Sequence, residues 1–182
     1  EPRIDFSNDA KGALLLEQSR TNSITYSNDL SQSIWSGDFV NSVYGQEGFN
    51  GNNDAWLYTK TGATMSGLYT QSFTGTYTIS FFVKKEVNKG VQIYNFGDTL
   101  QFSKINLENG TYISGVDTVK IEEYSNNWFR VSQTLTVSNG RWYFYITDGA
   151  GNAIASSLIV QYFQIEQGSY ATSYIPTQGS AV

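Results

Sequence analysis

Thr76-Tyr77-Thr78-Ile79-Ser80-Phe81-Phe82-Val83-Lys84 is the stretch that decides the fold. It contains neither glycine nor proline, and β-branched and aromatic residues, which fit a pleated, half-buried surface, dominate it. With the period of two that a strand imposes, Ile79, Phe81 and Val83 face one way and Ser80, Phe82 and Lys84 the other. The first set is expected to be core. Working outward, runs of similar length are expected to be strands at 13–17, 55–60, 68–73, 90–96, 103–106, 120–124, 128–137, 141–147 and 158–167. Asn50-Gly51, Asn109-Gly110, Asn139-Gly140 and the looser Gly149-Ala150-Gly151-Asn152 punctuate them as turns. Ten short strands with no helix between them predict an all-β chain, an antiparallel β-sandwich of jelly-roll type.

Dividing each run into two faces gives Val91 and Ile93 against Gln92, Tyr94 and Phe96, and Phe129, Val131 and Leu135 against Trp128, Arg130 and Ser132. Trp142, Phe144 and Ile146 oppose Arg141, Tyr143 and Tyr145, and Leu57 opposes Trp56 and Tyr58. The faces turned from the expected core are thus rich in aromatic and polar groups. That mixture stacks on sugar rings and hydrogen-bonds their hydroxyls. Trp56, Tyr58, Lys84, Gln92, Tyr94, Trp128, Arg130, Tyr143 and Tyr145 are the candidate ligand-binding residues. Trp128 and Arg130 share a face, where an indole platform and a guanidinium fork could serve a glycan; the favoured reading is that Arg130 ties down a carboxylate or loop carbonyl and Trp128 plugs the sandwich.

Composition narrows the function. The chain has 182 residues, enough for one domain, 1–182, that buries a sizeable core without staples. Aromatic residues make up 15% and charged residues only 15%, a neutral-surface profile. There is no Cys, so no disulfide framework, and a net charge of −5 without a Lys/Arg cluster argues against nucleic acid. No apolar run is long enough to span a membrane. The start at Glu1 reads as that of a domain excised from a larger protein. No His is present, which removes the commonest general base and metal ligand, and the adjacent pair Glu122-Glu123 would point to opposite faces of a strand; an enzyme is not expected.

The ends of the chain resemble a module found in tailed-phage fibre proteins and attached to bacterial polysaccharide-degrading enzymes. The likeness rests on Pro2 to Phe6, Gly12 to Asn22, Thr25 to Leu30 with Trp35, Gly75 to Thr78, Phe81 to Lys84, Asn127 to Ser132, and Gln164-Ile165-Glu166-Gln167-Gly168-Ser169-Tyr170-Ala171-Thr172-Ser173-Tyr174-Ile175-Pro176-Thr177. It covers almost the whole chain and departs at Gln18-Ser19, where relatives commonly carry Pro-Gln. The resemblance implies a carbohydrate-binding-module-like jelly roll at an extracellular or virion surface, holding a catalytic or fibre domain of the same parent chain to a polysaccharide. The low charge favours a neutral or modestly anionic glycan. The alternatives are an oligomerisation module of a phage tail fibre and a small lyase or hydrolase.

Jelly-roll modules of this kind often hold one structural Ca²⁺, for which Asp29 and Glu166 offer hard oxygen ligands, two solvated carboxylates being the plainer reading. No cofactor for catalysis is expected. Arg20 and Asn22 are expected to pin the opening segment by hydrogen bonds. Asn109-Gly110-Thr111 fits a glycosylation acceptor, but a type I′ hairpin turn is preferred.

Overall fold

A computed structural model describes residues 3–5, 13–15, 17–35, 40–62, 68–69, 71–97 and 100–182. Its strands are β1 (Arg3–Asp5), β2 (Ala13–Leu15), β3 (Val40–Gln46), β4 (Ala55–Lys60), β5 (Leu68–Tyr69), β6 (Phe73–Lys84), β7 (Lys89–Phe96), β8 (Gln101–Asn106), β9 (Thr111–Gly115), β10 (Val119–Tyr124), β11 (Trp128–Asp148) and β12 (Ser156–Gln167). Among the described residues the only helical element is a 3₁₀ turn at Ser125–Asn127. All pairings are antiparallel. β1 and β2 form a ribbon of their own. One sheet runs β3-β4-β12-β6-β11-β10, and a second runs β5-β11-β7-β8-β9. The fold is the antiparallel β-sandwich that the strand pattern predicts.

β11 belongs to both sheets. Its first half pairs with β6 and β10, its second with β7 and β5. The change falls at a register break between Val137 and Gly140, where Asn139 takes a φ of 49°. Asn139-Gly140, expected as a turn between two strands, is therefore a bend within one. A Cβ on Gly140 would stand 2.7 Å from that of Val137 and 2.8 Å from the Asn95 amide, so only glycine lets the chain fold over here. The Asn109-Gly110 connection is also longer than expected. Asn106 pairs with Thr111, and of the connecting residues Gly110 alone has positive φ, which rules out type I′.

The core forms where alternation put it. Ile79, Phe81 and Val83 from β6, Phe129, Val131 and Leu135 from β11, and Phe163 and Ile165 from β12 are buried against Val91, Ile93, Trp142, Phe144 and Ile146 of the opposite sheet. Phe144 is the hub, its ring centroid 5.0 Å from Phe81, 5.4 Å from Tyr58 and 5.7 Å from Phe163. Truncating such a residue to alanine costs about 3–5 kcal/mol.

β4 reverses the expected faces. Trp56 and Tyr58 are buried and Leu57 is only partly so. The register sets Tyr58 beside Leu158 and Trp56 beside Val160, both in the core, and two aromatic rings bury more apolar area than one leucine. Tyr58 is thus a core residue whose hydroxyl donates to the Phe144 carbonyl at 3.2 Å.

The opening segment is pinned as expected. Asn22, fully buried, accepts from the amides of Ile24 and Ile165 and donates to the Ile175 carbonyl at 2.8 Å, while Arg20 donates to the Gln167 carbonyl.

Candidate functional site

The outer faces of the two sheets carry similar residues and meet different fates. On the larger sheet, Phe82, Trp128, Ser80, Arg130 and Glu166 point away from the core, yet all are buried, Trp128 completely. Phe49, from the loop between β3 and β4, stacks on Phe82 at 4.2 Å and packs against the cluster that holds Trp128. The tail after β12 lies over the rest. Arg130 donates to the Thr172 carbonyl and to Ser80 Oγ at 3.4 Å, its guanidinium 5.7 Å from the Phe82 ring centre. Trp128 and Arg130 are therefore internal groups that join layers, Arg130 tying down a loop carbonyl. Lys84 sits at the rim of this sheet in a 3.4 Å ion pair with Glu47.

Glu166 and Asp29 sit in separate hydrogen-bond networks. Glu166 is buried, accepting from Gln164 Nε2 at 2.6 Å, the Thr172 amide at 3.0 Å and the Thr172 hydroxyl. Asp29 accepts from the Ser31 amide and hydroxyl and from Gln32 Nε2 at 2.8 Å. Each carboxylate thus takes three protein donors and the two share none, so nothing in these contacts brings them to a common Ca²⁺. No group of three metal-ligating side chains occurs among the described residues.

The outer face of the smaller sheet is only partly buried. Tyr143 and Tyr145 of β11, Gln92 and Tyr94 of β7, and Phe102 and Lys104 of β8 all alternate with core residues and so share that face. The register aligns them in two rows, Tyr145-Gln92-Lys104 and Tyr143-Tyr94-Phe102. The Tyr143 and Tyr145 rings are stacked, 6.1 Å apart and inclined by 13°, and Tyr94 approaches Tyr145 at 5.9 Å and Tyr143 at 6.2 Å. Tyr145 is the backing of this group at 3% exposure; Gln92, Tyr94 and Tyr143 are half-buried. Burial, then the neighbouring Tyr143 and Tyr94, raise the Tyr145 phenol well above its ordinary pKa, so it stays a neutral hydroxyl. Lys104 lies 5.8 Å over the Phe102 ring and supplies a cation beside the aromatic rows. Of the candidates, Gln92, Tyr94, Tyr143 and Tyr145 are thus brought together. Lys104 lies in the short run 103–106, whose faces the sequence leaves unassigned, and Phe102 lies outside that run, in the part of β8 that extends beyond it.

A second concave region lies at the other sheet's edge. It encloses about 730 Å³ and is lined by Asn28, Asp29, Tyr44, Asp54, Trp56, Tyr162, Tyr174, Pro176, Thr177 and Gln178. Asn28 joins its walls, donating to the Asp54 carbonyl at 2.9 Å, accepting the Tyr162 amide at 3.1 Å and, through its own carbonyl, the Trp56 indole N–H at 2.8 Å. Tyr162 sits on a bulge of β12 with a φ of 55°, a conformation that costs an aromatic residue about 1–3 kcal/mol. Its ring stacks on Tyr174 at 4.1 Å, and its hydroxyl donates to Asp54 at 2.7 Å. Burial first, with the adjacent Asp54, keeps that phenol protonated; burial likewise pushes Tyr174 up to about 12. Gly48 permits the closure, since a Cβ there would meet Asp54 and Gln161 oxygens at 2.6 Å. Apart from Trp56 and Asp29, these residues escaped sequence reasoning. A bulge that turns one tyrosine out of register leaves no mark on a period-two pattern.

No family model and no curated protein sequence matches the chain. Among solved structures it is similar to the Clostridium thermocellum endo-1,4-β-D-xylanase 10B, crystallised as CBM22-1 and GH10 modules with xylohexaose. The identity is 14% and the TM-score 0.46, over 86% of this chain. The chain spans 29% of the length of that one.

Proposed function

We propose that the chain is a non-catalytic carbohydrate-binding module, and that the outer face of the β5-β11-β7-β8-β9 sheet is where it holds a polysaccharide. The observation that carries this reading is the grouping of Tyr94, Tyr143 and Tyr145 across two neighbouring strands, with Gln92 and Lys104 in the adjoining row. Flat rings present apolar surface to the C–H faces of sugars, while an amide and an ammonium serve their hydroxyls. One lysine beside tyrosines suits a neutral or modestly anionic glycan. The task of such a module is to keep a catalytic or fibre domain of its parent chain, outside the cell or on a virion, near that polymer.

Affinity electrophoresis on neutral galactans, glucans and xylans, with uronate and sulfated polymers alongside, tests the proposal. Retardation by a neutral or weakly anionic polymer, unchanged by chelator, supports it; migration unchanged in all of them contradicts it. A second reading, a packing module of a phage fibre, draws on Phe96 and Tyr112, 54% and 42% exposed on β7 and β9. That reading requires oligomers at micromolar concentration by size-exclusion chromatography, whereas a glycan module stays monomeric.

A further inference from the structure

We infer that the pocket between the opening segment, β4 and the tail is a second sugar subsite, separate from the tyrosine face, that takes one or two uncharged sugar units at a chain end or branch. The inference rests on reading the module as carbohydrate-binding but uses none of the residues that carry that reading.

Its size is right, since small-molecule sites commonly enclose about 300–1,000 Å³. Its walls are built for a ring with hydroxyls. Tyr44, 55% exposed, leans on Trp56 at 5.0 Å and 56°, so an apolar surface borders open solvent. The lining also holds two carboxylates with capacity to spare. Asp54 takes Gln161 on one oxygen and Tyr162 and Asn50 on the other; Asp29 takes Ser31 twice on one oxygen and Gln32 on the other. A carboxylate has about four acceptor positions, so each retains one for a hydroxyl donor.

Charge then selects the ligand. The lining contains two aspartates and neither lysine nor arginine, so a uronate or sulfated sugar meets repulsion there that Lys104 relieves on the tyrosine face. An organic cation is disfavoured by geometry. Tyr162 and Tyr174 lie flat against each other, inclined by only 5°, and spend one face each on that stack instead of enclosing a cage. The strained Tyr162 backbone, held by Asn28, shows a wall fixed before any ligand arrives.

The test is intrinsic fluorescence, because Trp56 lines this pocket and Trp35, Trp128 and Trp142 do not. The intact domain is titrated to about 50 mM, a range that captures millimolar affinities, with galactose, glucose, xylose, mannose and their disaccharides. Glucuronate and choline are the anionic and cationic controls. We expect a saturable change with at least one neutral sugar, abolished in Trp56→Phe, weakened about tenfold in Tyr44→Ala, and unaltered in Val87→Ala, an exposed residue outside both surfaces. Tyr44 is exposed, so its variant remains informative should Trp56→Phe fail to fold. No change with any neutral sugar, a response to glucuronate or choline instead, or cleavage of a probe overturns the inference. Polymer retardation that persists in the absence of any neutral-sugar response removes the pocket and leaves the tyrosine face standing. A neutral-sugar response without retardation removes the face and leaves the pocket.

Discussion

The outer faces of the two sheets make the instructive comparison. Both present aromatic and polar side chains at alternate positions, Phe82, Trp128 and Arg130 on one and Tyr94, Tyr143 and Tyr145 on the other. The first face is sealed by Phe49 and by the tail around Thr172, which join it through ring stacking and hydrogen bonds to Arg130 and Glu166. The second keeps Tyr94 and Tyr143 half-buried beside Gln92 and Lys104, with Tyr145 buried among them. A period of two identifies which side chains leave the core; it does not say whether a third layer then covers them. The first face is buried; the second stays partly exposed and is the one proposed here for recognition.

The largest effect that separates them is on folding. Trp128→Ala empties a fully buried site and is expected to cost about 3–5 kcal/mol in guanidinium denaturation. A loss under 1 kcal/mol would place Trp128 at an open surface and break the comparison. Arg130→Ala removes the donor to Thr172 and the cover over Phe82, and is expected to cost about 2 kcal/mol, accompanied by faster proteolysis of the tail. On the other face, Tyr94→Ala and Tyr143→Ala should each shift stability by no more than about 1 kcal/mol, because partly exposed cross-strand pairs contribute that much at most.

A pH series sharpens the same contrast. Burial raises Tyr174 from 10.0 to about 12 in the fold, so the folded state favours the neutral phenol. The stability this contributes is complete below about pH 10 and is lost as pH rises through about 12. Phenolate absorbance should therefore lag in the native protein and appear together with unfolding, and Tyr174→Phe should flatten the alkaline fall in stability. Phenolate absorbance rising as in a free phenol would show that the tail does not pack as described.

Much of the fold was legible because Ile79, Phe81, Val83, Phe129, Val131, Trp142, Phe144 and Ile146 recur at every second position, among neighbours that apart from Phe82 and Trp128 carry a polar group. The site was legible to the same depth: Gln92, Tyr94, Tyr143 and Tyr145 fall on strands whose core faces were unambiguous. β4 misled because Trp56, Leu57 and Tyr58 are all apolar, and only the register with Leu158 and Val160 decides which pair turns inward. The seal over Trp128 and the pocket around Tyr162 were invisible for another reason. Both are made by loops and a bulge that meet strands distant in sequence, as Asn28 meets Tyr162 and Thr172 meets Arg130. Likewise Asp29 and Glu166 are credible ion ligands as residue types, but Asp29 is taken up by the nearby Ser31 and Gln32 and Glu166 by Gln164 and Thr172, local contacts that the sequence reading did not weigh.

The most direct test of the central claim is isothermal titration of the polymer that retards the intact domain, comparing the wild-type protein with Tyr94→Ala/Tyr143→Ala and checking folding by near-ultraviolet circular dichroism. A folded double variant whose affinity falls by roughly a hundredfold, about tenfold for each ring, is the predicted result. A folded double variant that binds as tightly as the wild type would contradict the assignment of recognition to the open face.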